Sequence, residues 1–179
     1  MRYRDLCYAA LGAAVICVLS PISIPIGAVP ITLSLLAVLL ISGILPTKLA
    51  LPAVACYIAL GAVGVPIFAG FVGGAQVLAG PTGGFIIGYL PATLLVPLGQ
   101  KSRTKTALFM GLSTIACYII GSAWLSSSTD VNFATVLGTT FITCTVPDAL
   151  KITASALLSH AIKDRLTKTC DQSRSRGIR

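Results

Sequence analysis

Glutamate is absent from this 179-residue chain, so its five acidic residues are all aspartate. Histidine and tryptophan occur once each, and no two of the six cysteines have C-x-x-C spacing. Neither a G-x-x-x-x-G-K-[ST] phosphate loop nor a G-x-S-x-G elbow occurs anywhere. Each absence closes a class of function. The chain cannot hydrolyse ATP through a phosphate loop, and an intramembrane enzyme, which needs a nucleophile or metal set, is the lesser alternative for a chain with one histidine, no glutamate and no such elbow. A disulfide framework or structural metal site is not indicated, and no cofactor is expected. Charge is scarce as well: 10% of residues are charged, against roughly 25% in soluble domains.

Apolar residues make up the balance. They amount to 55% of the chain, with a mean hydropathy of +0.92. A water-soluble globule of this size would have too few polar side chains to cover its surface, and a disordered chain would carry more charge. The solvent is therefore lipid. Six apolar stretches approach the roughly 17–20 residues needed to cross a hydrocarbon core, at about 6–19, 31–45, 49–62, 84–98, 106–126 and 147–163. The sixth is predicted to begin at Pro147, because proline suits the first helical position and disfavours helix at the residue before it. Residues 132–146, apolar but rich in threonine, then read as an interfacial or re-entrant segment. A kinked helix continuous from Phe133 is the alternative.

The net charge of +8 is a topology signal. Arg2, Arg4, Lys48, Lys101, Arg103, Lys105, Lys163, Arg165, Lys168, Arg174, Arg176 and Arg179 all fall on one side if the spans alternate. Cytoplasmic loops carry such an excess, so the expectation is an all-α membrane protein with six transmembrane helices and both termini cytoplasmic, multi-pass in the cell membrane. Residues 1–163 form the membrane domain and 164–179 a basic cytoplasmic tail. Nucleic acid is not an expected partner. The first 20 residues read as a retained helix rather than a secretory signal. Cys7, Cys17, Cys56, Cys117 and Cys144 read as small apolar residues within the spans, with Cys170 in the tail. His160 fits an interfacial histidine and Trp124 an anchor in the aromatic belt.

Lys151 is the one basic residue that breaks the topology rule. It stands three residues after Asp148, so the two share a helix face at membrane depth. A lysine there costs roughly 2.5–3.5 kcal/mol on insertion scales and usually faces a cavity. The pair either neutralises itself so that the helix can insert, or binds a small ligand bearing a carboxylate. Nine of the seventeen glycines lie in residues 61–89, an uncharged outer loop that reads as a lid or pocket wall, since irregular backbone at membrane depth must line a cavity or be buried. Phe68, Phe71 and Phe85 are its candidate apolar surfaces, and Gln76 and Thr82 its polar contacts. Gly84 and Gly88 are the glycines best suited to close helix packing. On the first span, Ala9 and Ala13, with the offset pair Ala10 and Ala14, provide a small-residue face for packing within the bundle or against another membrane protein.

PITLSLLAVLL (Pro30 to Leu40), YIALGAVGVPIFAGFVGG (Tyr57 to Gly74), GPTGGFIIGY (Gly80 to Tyr89) and PDALK (Pro147 to Lys151) together resemble the BioY family, the biotin-uptake S components of energy-coupling factor (ECF) transporters. The resemblance implies a six-helix S-component fold that binds biotin from outside as a high-affinity subunit, with a transmembrane coupling protein and a pair of ATPases as partners. Some members of the family are described as acting without them, so a stand-alone transporter of another small carboxylate is the alternative. The resemblance further implies that Asp148 and Lys151 contact biotin, that Gly80, Thr82, Gly83, Gly84 and Phe85 lie beside it, and that Ala9, Ala13 and Ala10 meet the coupling protein. Ser34 stands where relatives often carry glutamine, and Phe85 where they often carry tyrosine. Both departures are expected to remove polar partners from the site.

Overall fold

The apolar runs become helix in the computed structural model, which describes residues 3–24, 30–100, 102–129 and 131–176, with side chains through Arg165 except that of Arg4. Arg2, Lys101, Arg179 and residues 25–29 lie outside these residues, as do the side chains of Lys168, Cys170, Arg174 and Arg176. Helix α1 spans Tyr3–Leu19, α2 Ser34–Ile44 and α3 Thr47–Val63. The segment before α2 forms a short antiparallel ribbon, β1 (Ser23–Ile24) with β2 (Ile31–Thr32), pairing Ser23 with Thr32. Two short helices come next, α4 (Ala75–Ala79) and α5 (Gly83–Ile87), then α6 (Tyr89–Leu95), a 3-10 turn (Val96–Gly99), α7 (Arg103–Thr129) and α8 (Phe133–Arg176).

Two runs depart from the sequence expectation. The one at 84–98 is broken into α5, α6 and the 3-10 turn, because Pro91 has no N–H to give the carbonyl of Ile87, and Pro97 repeats the interruption six residues on. The start predicted at Pro147 is corrected in the opposite sense: residues 133–146 are helix, continuous with the turns beyond them, and Pro147 sits inside α8. The threonines that suggested irregular backbone are accommodated within the helix. Thr139, Thr140 and Thr145 each donate their hydroxyl to the carbonyl four residues back, so these polar groups are satisfied within the helix. The helix that begins in the membrane domain therefore continues through most of residues 164–179.

Helices α7, and α8 over Phe133–Arg165, are long and apolar enough by length and composition to cross a membrane; the segments Asp5–Leu19, Ser34–Ile44, Thr47–Val63 and Gly83–Gly99 are shorter apolar helices. Helix α2 is buried almost all round, from Ser34 and Leu35 through Ala37–Gly43, which marks it as the central element. Against it, α1 turns the stripe Ala9, Gly12, Ala13 and Ile16, and a Cβ at Gly12 would press on Ile41, Leu45 and Ala53. Small residues here let three backbones approach closely.

Hydrogen bonds and an ion pair gather the loops into two groups. At one end Gln100 donates its amide to the carbonyls of Ser42 (2.8 Å) and Leu45 (3.1 Å), Thr106 and His160 share a hydrogen bond of 3.1 Å, and Arg103 pairs with Asp164 at 3.5 Å. At the other, Gly70 N–H meets the carbonyl of Pro21, and Trp124 that of Gly80. Arg103 and Trp124 sit 21 residues apart on one helix, about 30 Å at 1.5 Å per residue, so the two groups lie at opposite ends of the bundle.

Candidate binding site

The end that holds Trp124 contains a cavity of about 260 Å³, just below the ~300–1,000 Å³ typical of ligand pockets. Each wall comes from a different part of the chain. Helix α8 contributes Cys144, Asp148 and Lys151, one face repeated at helical spacing, and α7 contributes Cys117 and Tyr118. The glycine-rich block supplies Phe68, Ala69, Val72, Val77, Thr82, Phe85 and Ile86. Ser20, Thr32, Ser34, Tyr57 and Tyr89 close the remaining side.

Asp148 and Lys151 are 5% and 7% exposed, and Lys151 Nζ donates to Asp148 Oδ1 at 2.6 Å. The Tyr118 hydroxyl donates to the other carboxylate oxygen, Oδ2, and the Tyr118 ring is held edge-on by Phe141 at 5.2 Å. Both charges in this corner thus have a partner, as burial demands. Capacity remains for a ligand. An ammonium has three donors and a carboxylate about four acceptor directions, so the pair presents an acceptor beside a donor to the cavity.

Across the cavity the polar groups are neutral. Ser34 Oγ lies 2.7 Å from Tyr89 OH and also bonds Thr32 Oγ1, while Ser20 and Tyr57 share a second hydroxyl pair. The Ser34 hydroxyl thus joins a chain that Tyr89 completes from α6. Local sequence does not mark Tyr57, Tyr89 or Tyr118 as wall residues, because each sits alone among apolar neighbours. Helical spacing from Asp148 could have pointed to Cys144.

The loop residues separate clearly. Phe68 is 1% exposed, packs edge-on to Tyr57 at 5.6 Å and lines the cavity with Phe85 and Thr82. Phe71 does not: it sits at the tip of the turn closed by Phe68 and Val72, with φ at +59°, and is 69% exposed. Gln76 turns back to donate to the carbonyl of Gly73, leaving Val77 beside the cavity. Gly83 and Gly84 shape the wall from behind, the first against the carbonyl of Leu78 and the second against Trp124, and Gly88 lies on Cys117. Gly80 offers its carbonyl to Trp124 rather than to the cavity. On α1, Ala9 and Ala13 are buried within the chain, which removes them from any surface open to a partner, whereas Ala10 and Ala14 are exposed.

The sequence model of the BioY family matches residues 1–168. A probable biotin transporter BioY of Pyrococcus horikoshii is 38% identical over 164 residues, covering 91% of this chain and 98% of that one. The biotin transporter BioY2 of Lactococcus lactis is 37% identical, covering 86% and 91%. Among solved structures, the S-component for biotin from an ECF-type ABC transporter superposes with a TM-score of 0.83 at 25% identity, covering 90% of this chain and 91% of that one.

Proposed function

The chain belongs to the BioY family, and on that premise we propose that it takes up biotin as the substrate-binding S component of an ECF-type transporter. It is not an enzyme; its work is binding and translocation. The observation that carries the site assignment is the fully partnered Asp148–Lys151–Tyr118 corner opening into a largely apolar cavity.

Biotin has two polar ends joined by apolar rings and a chain. A self-neutralised ion pair exerts little net attraction on a lone carboxylate, and Asp148 would repel one. The same pair suits a ureido edge, where Asp148 accepts N–H and Lys151 donates to C=O. The carboxylate then lies toward the hydroxyls of Ser34, Tyr89, Ser20, Tyr57 and Thr82, which can rotate to donate, while Phe68 and Phe85 cover the rings. The apolar helices form six spans, with α5, α6 and the 3-10 turn as the fourth. The end bearing Arg103, Lys105 and His160 faces the cytoplasm together with both termini, in a cell membrane the chain crosses repeatedly. A transmembrane coupling protein and its ATPase pair energise transport, and the exposed Ala10 belongs to the face that meets the coupling protein.

Purified protein is expected to bind biotin and not pantothenate in calorimetry. 2-Iminobiotin, altered in the ureido group, should compete far more weakly than biotin amide, altered only at the carboxyl. Equal competition by both analogues would overturn the assigned orientation, and no heat with biotin would refute the function. Tyr89→Phe removes one hydroxyl from the neutral wall and should weaken biotin binding by up to about tenfold, the worth of one neutral hydrogen bond.

A further inference from the structure

Trp124, the chain's single tryptophan, is at a membrane-interface position where an anchoring role would explain it, yet its contacts run toward the binding site. Its Nε1 donates to the carbonyl of Gly80 at 3.0 Å. That carbonyl also receives the N–H of Gly83, so the turn between α4 and α5 is fastened to α7 at one oxygen. Directly behind, the Trp124 Cβ and Cγ occupy the space that a side chain on Gly84 would need. One turn earlier on α7, Gly121 leaves room for the Phe85 ring, and Cys117 reaches the Phe85 carbonyl. The residues so seated include Thr82, Phe85 and Ile86, which are cavity wall. Trp124 itself does not line the cavity.

From this arrangement we infer that Trp124 is a positioning residue: it acts through Gly80 and Gly84 to hold the α4–α5 turn in the closed wall, and so sets how long the ligand stays bound. With biotin as that ligand, as proposed above, the tether retards release without contributing to encounter. Trp124→Phe keeps Cβ, Cγ and an aromatic ring over Gly84 but removes the N–H together with part of the indole's bulk.

Because no other tryptophan is present, indole fluorescence of the purified full-length protein reports on this turn alone. Saturating biotin is expected to change the emission at the stoichiometry seen by calorimetry, with no change on adding pantothenate. In Trp124→Phe the dissociation rate of labelled biotin should rise about tenfold, and the association rate should stay within about twofold. If biotin binds by calorimetry while wild-type emission is unaltered, or if Trp124→Phe releases biotin at the wild-type rate, the positioning role is wrong. Should Trp124→Phe fail to fold, the wild-type fluorescence decides. Absence of biotin binding by calorimetry is a different failure, that of the ligand assignment.

Discussion

The double variant Asp148→Asn with Lys151→Met is expected to remain a folded membrane protein and to lose biotin. The pair has a proposed role in recognition beside its part in letting a buried helix face insert, and only the double change separates the two. Either substitution alone leaves a buried charge uncompensated at a place 5–7% exposed, which costs roughly 3–5 kcal/mol when a buried pair is broken. A binding defect in a single variant is therefore mixed with a folding defect. Removing both charges avoids the penalty, since exchanging a buried pair for groups of similar shape is often neutral or stabilising. Asparagine can still accept from Tyr118, and methionine fills the lysine stem. What disappears are the charged hydrogen bonds offered to the ligand, worth about 1.5–3 kcal/mol each, or on the order of a hundred- to ten-thousand-fold in affinity for two. Labelled-biotin binding and thermal unfolding, measured on the same preparations, check the result. A double variant that folds and binds normally would reduce the pair to an aid for membrane insertion.

Gly83→Ala should have the largest effect on stability among the glycine substitutions. A Cβ at this position overlaps the backbone carbonyl and Cα of Leu78 at the end of α4, and no side-chain rotation can relieve an overlap with backbone. Overpacking of this kind costs about 1–3 kcal/mol and sometimes more. The strain falls where α4 turns into α5, so the thermal midpoint in detergent should drop by several degrees and biotin affinity should fall with it. Gly111→Ala makes a fair control, as its added Cβ has open space around it. A Gly83→Ala protein as stable as the control would mean the α4–α5 turn can relax at little cost.

Much of the architecture is legible in the residues alone. Lipid as solvent follows from scarcity of charge, and the exceptional status of Lys151 follows from the regularity of the other basic residues. The family resemblance points to the GPTGG segment, of which Thr82 lines the cavity. The features that escape such a reading depend on tertiary contacts. Tyr89 and Tyr118 matter because their hydroxyls meet Ser34 and Asp148, which are 55 and 30 residues away, and no local pattern encodes such a meeting. Phe71 and Phe68 are equivalent in composition, and only the left-handed backbone at Phe71 sends them to different environments. Pro147 misleads because its preference for a first helical turn takes no account of the chain before it, which is helix and satisfies its threonine hydroxyls on its own carbonyls.

The position of that proline within α8 has a mechanical consequence. It precedes Asp148, so any bend it introduces lies on the Phe133 side of the ion pair. Between Asp148 and Arg165 there is neither proline nor glycine, only about 25 Å of unbroken helix whose far end is buttoned to α7 through His160 and Asp164. Ion pair and opposite rim are thus parts of one stiff rod. With biotin docked as proposed above, a tilt imposed at the pair would be delivered at the other end as displacement, with no joint between to absorb it.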